Sequence, residues 1–146
     1  MSLEIQQRET EGIVILDLKG SLTLGHGDLE LRDRLPAATQ PDKVNIILNL
    51  QEVSHVDSTG LGVLVYGLGR VRKTGGRLAL ANVNPAHLEL FLLTKLAIEF
   101  EFFRDEHDAV DSFFPDRAVK EFDILSFVEQ HRGSTGNDIG TKGATC

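Results

Sequence analysis

The chain has 146 residues and a formal net charge of −7 at pH 7. That length suits one domain with a core of its own, and the acidic balance disfavours nucleic acid or an anionic membrane surface as a partner. The single cysteine, Cys146, excludes an intrachain disulfide. No apolar run approaches the roughly 20 residues of a membrane span, and the first residues lack the layout of a signal peptide. We therefore expect a cytoplasmic protein with no membrane contact.

The N-terminal segment predicts a β-hairpin. Apolar and polar residues alternate over residues 3–8, and a denser apolar run follows over residues 13–19. The pair Glu11-Gly12 between them suits a short turn, so the two strands are expected to pair in antiparallel fashion.

A loop, a helix and a central strand are expected next. Residues 20–27 contain three glycines, and Asp28 is placed to cap a helix that Pro36 should stop. Residues 44–50 are then apolar on both faces of an extended chain. Such a strand is typical of the middle of a sheet with helices packed over it.

That strand leads into the motif Asp57-Ser58-Thr59-Gly60-Leu61-Gly62, which opens a helical pattern. Ser58 or Thr59 fits the N-cap, whose side-chain oxygen accepts a free backbone N–H of the first turn. Gly60 and Gly62 would then lie inside that turn, where each costs roughly 1 kcal/mol against alanine. Because a missing side chain lets another chain come close, we expect the two glycines to keep a contact surface low.

The helix that follows has an apolar face with helical spacing, carried by Leu61, Leu64, Val65, Leu68 and Val71. Gly75-Gly76 should end this helix. Residues 77–81 predict a further strand, and Asn84 followed by Pro85 predicts the start of a short helix.

Apolar and acidic residues alternate over residues 98–102, which predicts a strand with one wet face, as at the edge of a sheet. Asp105 then fits the cap of another short helix, which Phe114-Pro115 should close. The alternation of strands and helices indicates an α/β fold with a single mixed, mainly parallel sheet. We assign residues 1–116 to this domain.

Residues 117–132 carry a second apolar stripe, which predicts an additional C-terminal helix ending near Gly133. The members of the stripe are Val119, Phe122, Ile124, Leu125, Phe127 and Val128. Because six exposed apolar side chains are unusual on a monomer, this helix is expected to pack either on its own domain or on a second subunit of a homodimer. Residues 133–146 are rich in Gly, Ser, Thr and Asn, a composition typical of a disordered tail.

The segment 57–64, which follows a buried-looking strand and opens a helix, resembles the anti-sigma factor antagonists, small bacterial proteins of the STAS domain superfamily. The resemblance covers roughly residues 3–114 and implies the same order of elements, with helices mostly on one side of the sheet. It also implies phosphorylation at Ser58, with Thr59 as the weaker candidate. The chain departs from the family at Thr23, where the loop bordering the phosphorylation site often carries an acid.

The resemblance implies a binding module and not an enzyme. The unphosphorylated form would bind an anti-sigma factor that is also a serine kinase and would so free a sigma factor. The kinase would then modify Ser58 and release the antagonist, and a phosphatase could reverse the modification. The implied contact residues are Thr23, Asp57, Ser58, Thr59, Gly60, Leu61 and Gly62. No cofactor is expected, and a phosphate on Ser58 would meet free N–H groups at the positive end of the helix dipole.

Two other functions stay open. The chain could be a STAS-type subunit of another assembly, such as a stress-signalling complex or a transporter's accessory protein. It could also be a hydrolase that uses His55, three residues before Ser58, as the base, although an accidental histidine in a polar turn is the simpler interpretation. The sequence has no phosphate-binding loop and no nucleophile elbow, and its five histidines show no metal-ligand spacing.

Overall fold

The computed structural model describes residues 3–38 and 44–135, which contain a five-stranded sheet with the strand order β1-β2-β3-β4-β5. Strands β1 and β2 are antiparallel, and the other neighbouring strands are parallel. The strands are β1 (Leu3–Thr10), β2 (Ile13–Leu22), β3 (Ile46–Val56), β4 (Leu78–Ala81) and β5 (Glu101–Phe103). The predicted hairpin and the mainly parallel sheet are confirmed.

Helices cover the two faces of the sheet unequally. They are α1 (Asp28–Ala38), α2 (Ser58–Lys73), α3 (Pro85–Leu93), α4 (Glu106–Asp111) and α5 (Ile124–Thr135), with a 3-10 turn at Ala97–Glu99. Helices α1, α2, α3 and α5 contribute to the larger apolar cluster. Helix α4 contributes Ala109 and Val110 to a smaller cluster on the opposite face. The α/β fold with helices mostly on one side is therefore confirmed.

Two rows of side chains run across the parallel strands in register. The row that faces the larger cluster consists of Leu16, Leu48 and Leu80. The row that faces α4 consists of Ile15, Ile47 and Ala79. Because successive side chains of a strand point to opposite faces, a central strand covered on both sides needs apolar residues at every position, as residues 46–48 provide.

The two central strands are longer than the sequence predicts. Strand β2 continues past residue 19 to the buried Leu22, and β3 continues past residue 50 to Val56. These polar-rich ends stay in the sheet because they pair with each other, with Leu22 opposite Val56. A pairing between residues far apart in the chain leaves no local sequence signal, so the prediction ended both strands too early.

Two further expectations are wrong. Helix α1 does not stop before Pro36 but continues to Ala38. Pro36 lies in the last turn, so the hydrogen bond that its missing N–H removes is among the last of the helix. Residues 97–99 form a 3-10 turn instead of strand, with Ile98 87% exposed, and β5 begins only at Glu101. Strand β5 nevertheless lies at an edge of the sheet, as expected.

The caps predicted for α3 and α4 are confirmed. Asn84 caps α3 and accepts the backbone N–H of Ala86 at 2.8 Å, with Pro85 at the first helical position. Asp105 caps α4 and accepts the backbone N–H of Asp108 at 2.9 Å. A cap is set by two or three neighbouring residues, so these two helix starts left a local signal in the sequence.

Helix α5 begins at Ile124, so Val119 and Phe122 of the predicted stripe precede it. Asp123 stands before its first turn and accepts the backbone N–H of Ser126 at 3.2 Å. The helix extends beyond Gly133 to Thr135. Residues 136–146, which include most of the predicted tail, lie outside the described residues.

The apolar side of α5 packs on its own domain, next to α3. Val128 is buried, and the rings of Phe122 and Phe127 meet edge to face with their centroids 5.1 Å apart. Leu125 points away and is 54% exposed. Packing within one chain accounts for most of the stripe, and a homodimer through this helix stays a prediction that would involve Leu125.

Substitutions on the two sides of α5 should therefore behave differently. Val128→Ala should lower the free energy of unfolding by about 1–3 kcal/mol, because it leaves a cavity against the core. Leu125→Ala, the matched control, should change it by less than about 0.5 kcal/mol, because its side chain faces solvent. Urea unfolding measures both values. A loss of stability in Leu125→Ala that grows with protein concentration would instead indicate that the helix packs on a second subunit.

Candidate functional site

Helix α2 is capped by Asp57, and not by Ser58 or Thr59 as the sequence suggested. Asp57 has extended backbone angles (φ −121°, ψ −173°), and its Oδ1 accepts the backbone N–H of Gly60 at 2.9 Å. Ser58 is consequently the first helical residue. Aspartate, serine and threonine are all good N-caps, so the sequence alone did not decide which of the three adjacent residues takes this position.

The Asp57 carboxylate also holds a second segment of the chain. Its Oδ2 accepts the backbone N–H of Leu24 at 3.0 Å, across the loop of residues 23–27 that links β2 to α1. Within that loop, Thr23 and His26 exchange two backbone hydrogen bonds of 2.8 and 2.9 Å. One side chain therefore joins the start of α2 to the loop between β2 and α1.

The electrostatics of Asp57 follow from these contacts. Desolvation, the largest single influence, acts to raise the pKa of its carboxyl. Hydrogen bonds from the backbone N–H groups of Leu24, Gly60 and Thr59 together outweigh that influence, so the pKa is lowered below its usual range. The folded state thus favours the ionised form of Asp57.

The two glycines of the motif have different roles. A Cβ on Gly60 would lie 2.0 Å from the carbonyl oxygen of Leu22, so this position allows close contact between α2 and the end of β2. A Cβ on Gly62 would have no atom within 4 Å. We expected both glycines to keep an outer contact surface low. This expectation is wrong for Gly60, which is buried, whereas the exposed position of Gly62 is compatible with it.

The predicted contact residues divide in the same way. Ser58 is exposed, and Thr59 and Thr23 are half-buried. Leu61 is 2% exposed and belongs to the larger core cluster. Ser58, Thr59, Gly62 and Thr23 can reach a partner, whereas Gly60 and Leu61 position the helix beneath them.

Three exposed apolar side chains that the sequence analysis did not single out lie on the loop of residues 23–27, on α1 and on α2. Leu24 of the loop is 70% exposed, Leu29 of α1 is 63% exposed, and Tyr66 of α2 is 40% exposed. The guanidinium of Arg32 lies 5.3 Å from the centre of the Tyr66 ring and connects the two helices. We call Leu24, Leu29, Ser58, Gly62 and Tyr66 together the Ser58 surface. In the sequence, this surface could have been noticed from Leu24, which stands in a glycine-rich loop, and from Leu29, which stands at a helix start.

His55 does not support a nucleophile–base pair in this structure. Its Nδ1 lies 3.0 Å from the Oγ of Ser54, the residue beside it, and Ser54 donates to the carbonyl oxygen of Gly20 at 3.1 Å. Burial, followed by the nearby His55, lowers the pKa of His87, against a hydrogen bond with the backbone of Ser54. His55 is thus engaged with the end of β3 and with α3.

Within residues 3–38 and 44–135, no group of three or more His, Cys, Asp and Glu side chains could hold a metal ion. In the same ranges, no helix is both long enough and apolar enough to cross a membrane.

The mixed sheet, the helices mostly on one of its sides and the exposed serine that follows the Asp57 cap at the β3–α2 junction define a STAS-like α/β domain. A family model described as STAS domain matches residues 4–109, and the chain belongs to that family. The matched range ends within α4, so α5 lies outside it.

Known relatives agree with this assignment. The anti-sigma-B factor antagonist of Bacillus subtilis is 33% identical over 97 residues, which are 66% of this chain and 86% of the relative. The anti-sigma F factor antagonist of Paenibacillus polymyxa is 29% identical over 85 residues, 58% of this chain and 73% of the relative. The solved structure of the Bacillus cell fate determinant SpoIIAA in its phosphorylated form has a TM-score of 0.58 at 24% identity, over 75% of this chain and 99% of that one, and shares the fold.

Alanine at the two glycines should have opposite effects on stability. Gly60→Ala should destabilise the protein by about 1–3 kcal/mol, because the new methyl group collides with the Leu22 carbonyl and forces a backbone shift. Gly62→Ala should stabilise it by up to about 1 kcal/mol, because alanine is the better helix former and the space is open. Urea unfolding of both variants checks this pair. Equal effects would mean that Gly60 has no close neighbour.

The lowered pKa of Asp57 also predicts a pH dependence. A carboxyl whose pKa falls on folding stabilises the protein fully above about pH 4 and loses that contribution as the pH drops through the folded-state pKa. The stability of the wild type should therefore fall more between pH 5 and pH 2 than that of Asp57→Asn, which has no charge to lose. Urea midpoints at both pH values measure the difference, and parallel curves would contradict it.

Proposed function

We propose that this chain is an anti-sigma factor antagonist that is switched off by phosphorylation at Ser58. In its unphosphorylated form it binds an anti-sigma factor that is also a serine kinase, and so frees a sigma factor for transcription in the cytoplasm. A phosphatase acting on phospho-Ser58 restores the binding form. The observation that carries this proposal is the exposed Ser58 at the start of α2, next to the loop that bears the exposed Leu24, whose N–H bonds to the Asp57 carboxylate.

The position of Ser58 suits a kinase substrate. A kinase needs the acceptor hydroxyl exposed and in line with the γ-phosphate of ATP. In the transfer, the Ser58 Oγ forms a bond to the γ-phosphorus, the bond from that phosphorus to the ADP oxygen breaks, and the hydroxyl proton leaves to a base of the kinase. Thr59, one residue further into the helix, is half-buried and offers a poorer approach.

The surroundings of Ser58 suit a protein partner. Leu24, Leu29 and Tyr66 present large apolar side chains to solvent on the loop of residues 23–27, on α1 and on α2, the helix that Ser58 begins. Apolar side chains grouped at one place on a surface are typical of protein-binding sites. The open space over Gly62 lets a partner approach the backbone of α2 closely. Thr23, Asp57 and Thr59 complete the proposed contact area.

A phosphate at this position opposes binding by simple electrostatics. Phosphoserine carries about −1.5 to −2 charges at pH 7. Burying that charge against an apolar partner surface without a matching cation is costly. The ionised Asp57 lies next to it in sequence and adds repulsion toward an acidic partner group. The added charge by itself therefore makes the modified surface bind less tightly.

The relatives support the proposal at the level of the class. Two of them are named anti-sigma factor antagonists, and the solved SpoIIAA structure is of a phosphorylated form. The match to the Bacillus subtilis relative covers 86% of its length, so the resemblance extends over nearly the whole relative.

Substitution of Ser58 tests the switch. Ser58→Ala should bind the anti-sigma partner persistently, even with ATP present, because it cannot be modified. Phosphoserine at position 58 should weaken binding by roughly 30-fold or more, as expected for an unpaired buried charge, and Ser58→Asp should weaken it less. Thr59→Ala is the matched control and should still be phosphorylated. Calorimetry with the purified partner measures binding, and mass spectrometry with fragmentation locates the phosphate.

Other results would redirect the proposal. Phosphate found on Thr59 alone would move the switch by one residue. If the partner kinase leaves every hydroxyl unmodified and Ser58→Asp binds as well as the wild type, the switch does not exist. A non-switching subunit of another assembly would then be the better interpretation.

A further inference from the structure

We propose that the Asp57 carboxylate fastens the loop of residues 23–27 to the first turn of α2, and that a phosphate on Ser58 displaces it and releases Leu24 from the Ser58 surface. The biological use of this release depends on the function proposed above. Its physical basis does not, because it depends only on which groups share the first turn of α2.

The contacts of Asp57 reach two separate segments of the chain. One carboxylate oxygen accepts the N–H of Gly60 at 2.9 Å, and the other accepts the N–H of Leu24 at 3.0 Å. A third bond, from the N–H of Asp57 to the carbonyl oxygen of Leu22, measures 3.4 Å and is correspondingly weak. The two short bonds share a single charged group, so whatever moves that group affects both segments.

Little else holds Leu24 in place. Its side chain is 70% exposed and contributes no packing to the core. The bonds between Thr23 and His26 close the loop on itself but do not attach it to α2. After the loop, Gly27 is fixed tightly, since a Cβ there would lie 2.1 Å from the carbonyl oxygen of Ser21. Release of the Leu24 N–H would therefore loosen the tip of the loop and leave its base in place.

A phosphate on Ser58 competes with Asp57 for the same donors. Anions are attracted to the free N–H groups of a helix start, and Ser58 is the residue that follows the cap. Asp57 already accepts the Gly60 N–H, so a phosphate would not find every donor of the first turn free. A phosphate must take a donor from Asp57 or repel the carboxylate from its place, and both actions loosen its bond to Leu24.

The consequence concerns the shape of the proposed binding surface. Leu24 and Leu29 are its most exposed apolar side chains; Leu24 lies within the loop, and Leu29 lies in the first turn of α1 that follows it. If the loop tip moves on phosphorylation, the partner loses an ordered apolar contact in addition to meeting a new charge. Phosphorylation then weakens partner binding in two ways, by disordering the loop tip and by adding negative charge.

The experiment uses the full chain with phosphoserine installed at position 58 during translation, and no partner protein. Nuclear magnetic resonance measures amide hydrogen exchange. The Leu24 amide should exchange at least about fivefold faster after modification, the factor that corresponds to loss of one ordinary hydrogen bond. The Gly75 amide, which donates to the Arg72 carbonyl in another exposed turn, should not change. Phosphoserine at Ser126 on α5 controls for added charge elsewhere.

Asp57→Asn tests the role of the carboxylate directly. This variant should show fast Leu24 exchange without phosphate, and phosphoserine at 58 should add little more, because the bond is already lost. If the variant does not fold, the wild type gives the same information in acid. There the Leu24 amide proton should shift as the Asp57 carboxyl titrates, while that of Gly75 stays constant.

Two results would overturn the inference. One is unchanged Leu24 exchange with phosphoserine at 58, and the other is a Leu24 amide insensitive to both Asp57→Asn and acid. The first, combined with lost partner binding, would leave the proposed function standing with charge alone as its mechanism. Conversely, Leu24 release in a chain that no kinase modifies would support the inference and reject the proposed function.

Discussion

The contact between the backbone at Gly60 and the carbonyl oxygen of Leu22 sets the geometry of the site. No side chain other than hydrogen fits there, since a Cβ would lie 2.0 Å from that oxygen. The contact fixes the start of α2 against the end of β2, and Asp57 can then reach both the Gly60 and the Leu24 N–H groups. The cap, the loop and the exposure of Ser58 all depend on this one approach of two backbones.

The arrangement of strands in the sheet explains why the backbones at Gly60 and Leu22 meet at the carboxyl ends of the strands. Strands β2 and β3 are parallel neighbours, so their carboxyl ends lie side by side, with Leu22 opposite Val56. The loop after one strand and the helix after the other consequently start together. Binding residues in open α/β sheets collect at such carboxyl ends, and the exposed Ser58 lies there. The apolar rows within the sheet stabilise the fold, so the carboxyl ends of the strands can consist of polar residues without loss of the core.

Much of this arrangement could be predicted from the sequence, because its signals are local. Alternating and continuous apolar runs identified the strands, and Asn84 and Asp105 identified helix starts. The failures involve contacts between distant residues. Gly60 and Gly62 look alike in the sequence, and only the position of Leu22 separates them. Ile98 fitted a strand pattern but lies in a 3-10 turn, because β5 pairs with β4 only from Glu101 onward. The exposed Leu24 and Leu29 followed no periodic pattern at all.

The four glycines of α2 lie on two different faces of the helix. The face decides whether packing offsets the free energy that a glycine costs inside a helix. Gly60 and Gly67 are buried, where side chains would meet Leu22 and the end of the Leu35 side chain of α1. Gly62 and Gly69 are exposed and have open space above them. The inward pair allows the helix to lie close to the β2 end and to α1, a gain that offsets the weaker helix propensity of glycine. The outward pair has no neighbouring atom within 4 Å of an added Cβ, so packing among the described residues does not offset its cost in helix propensity.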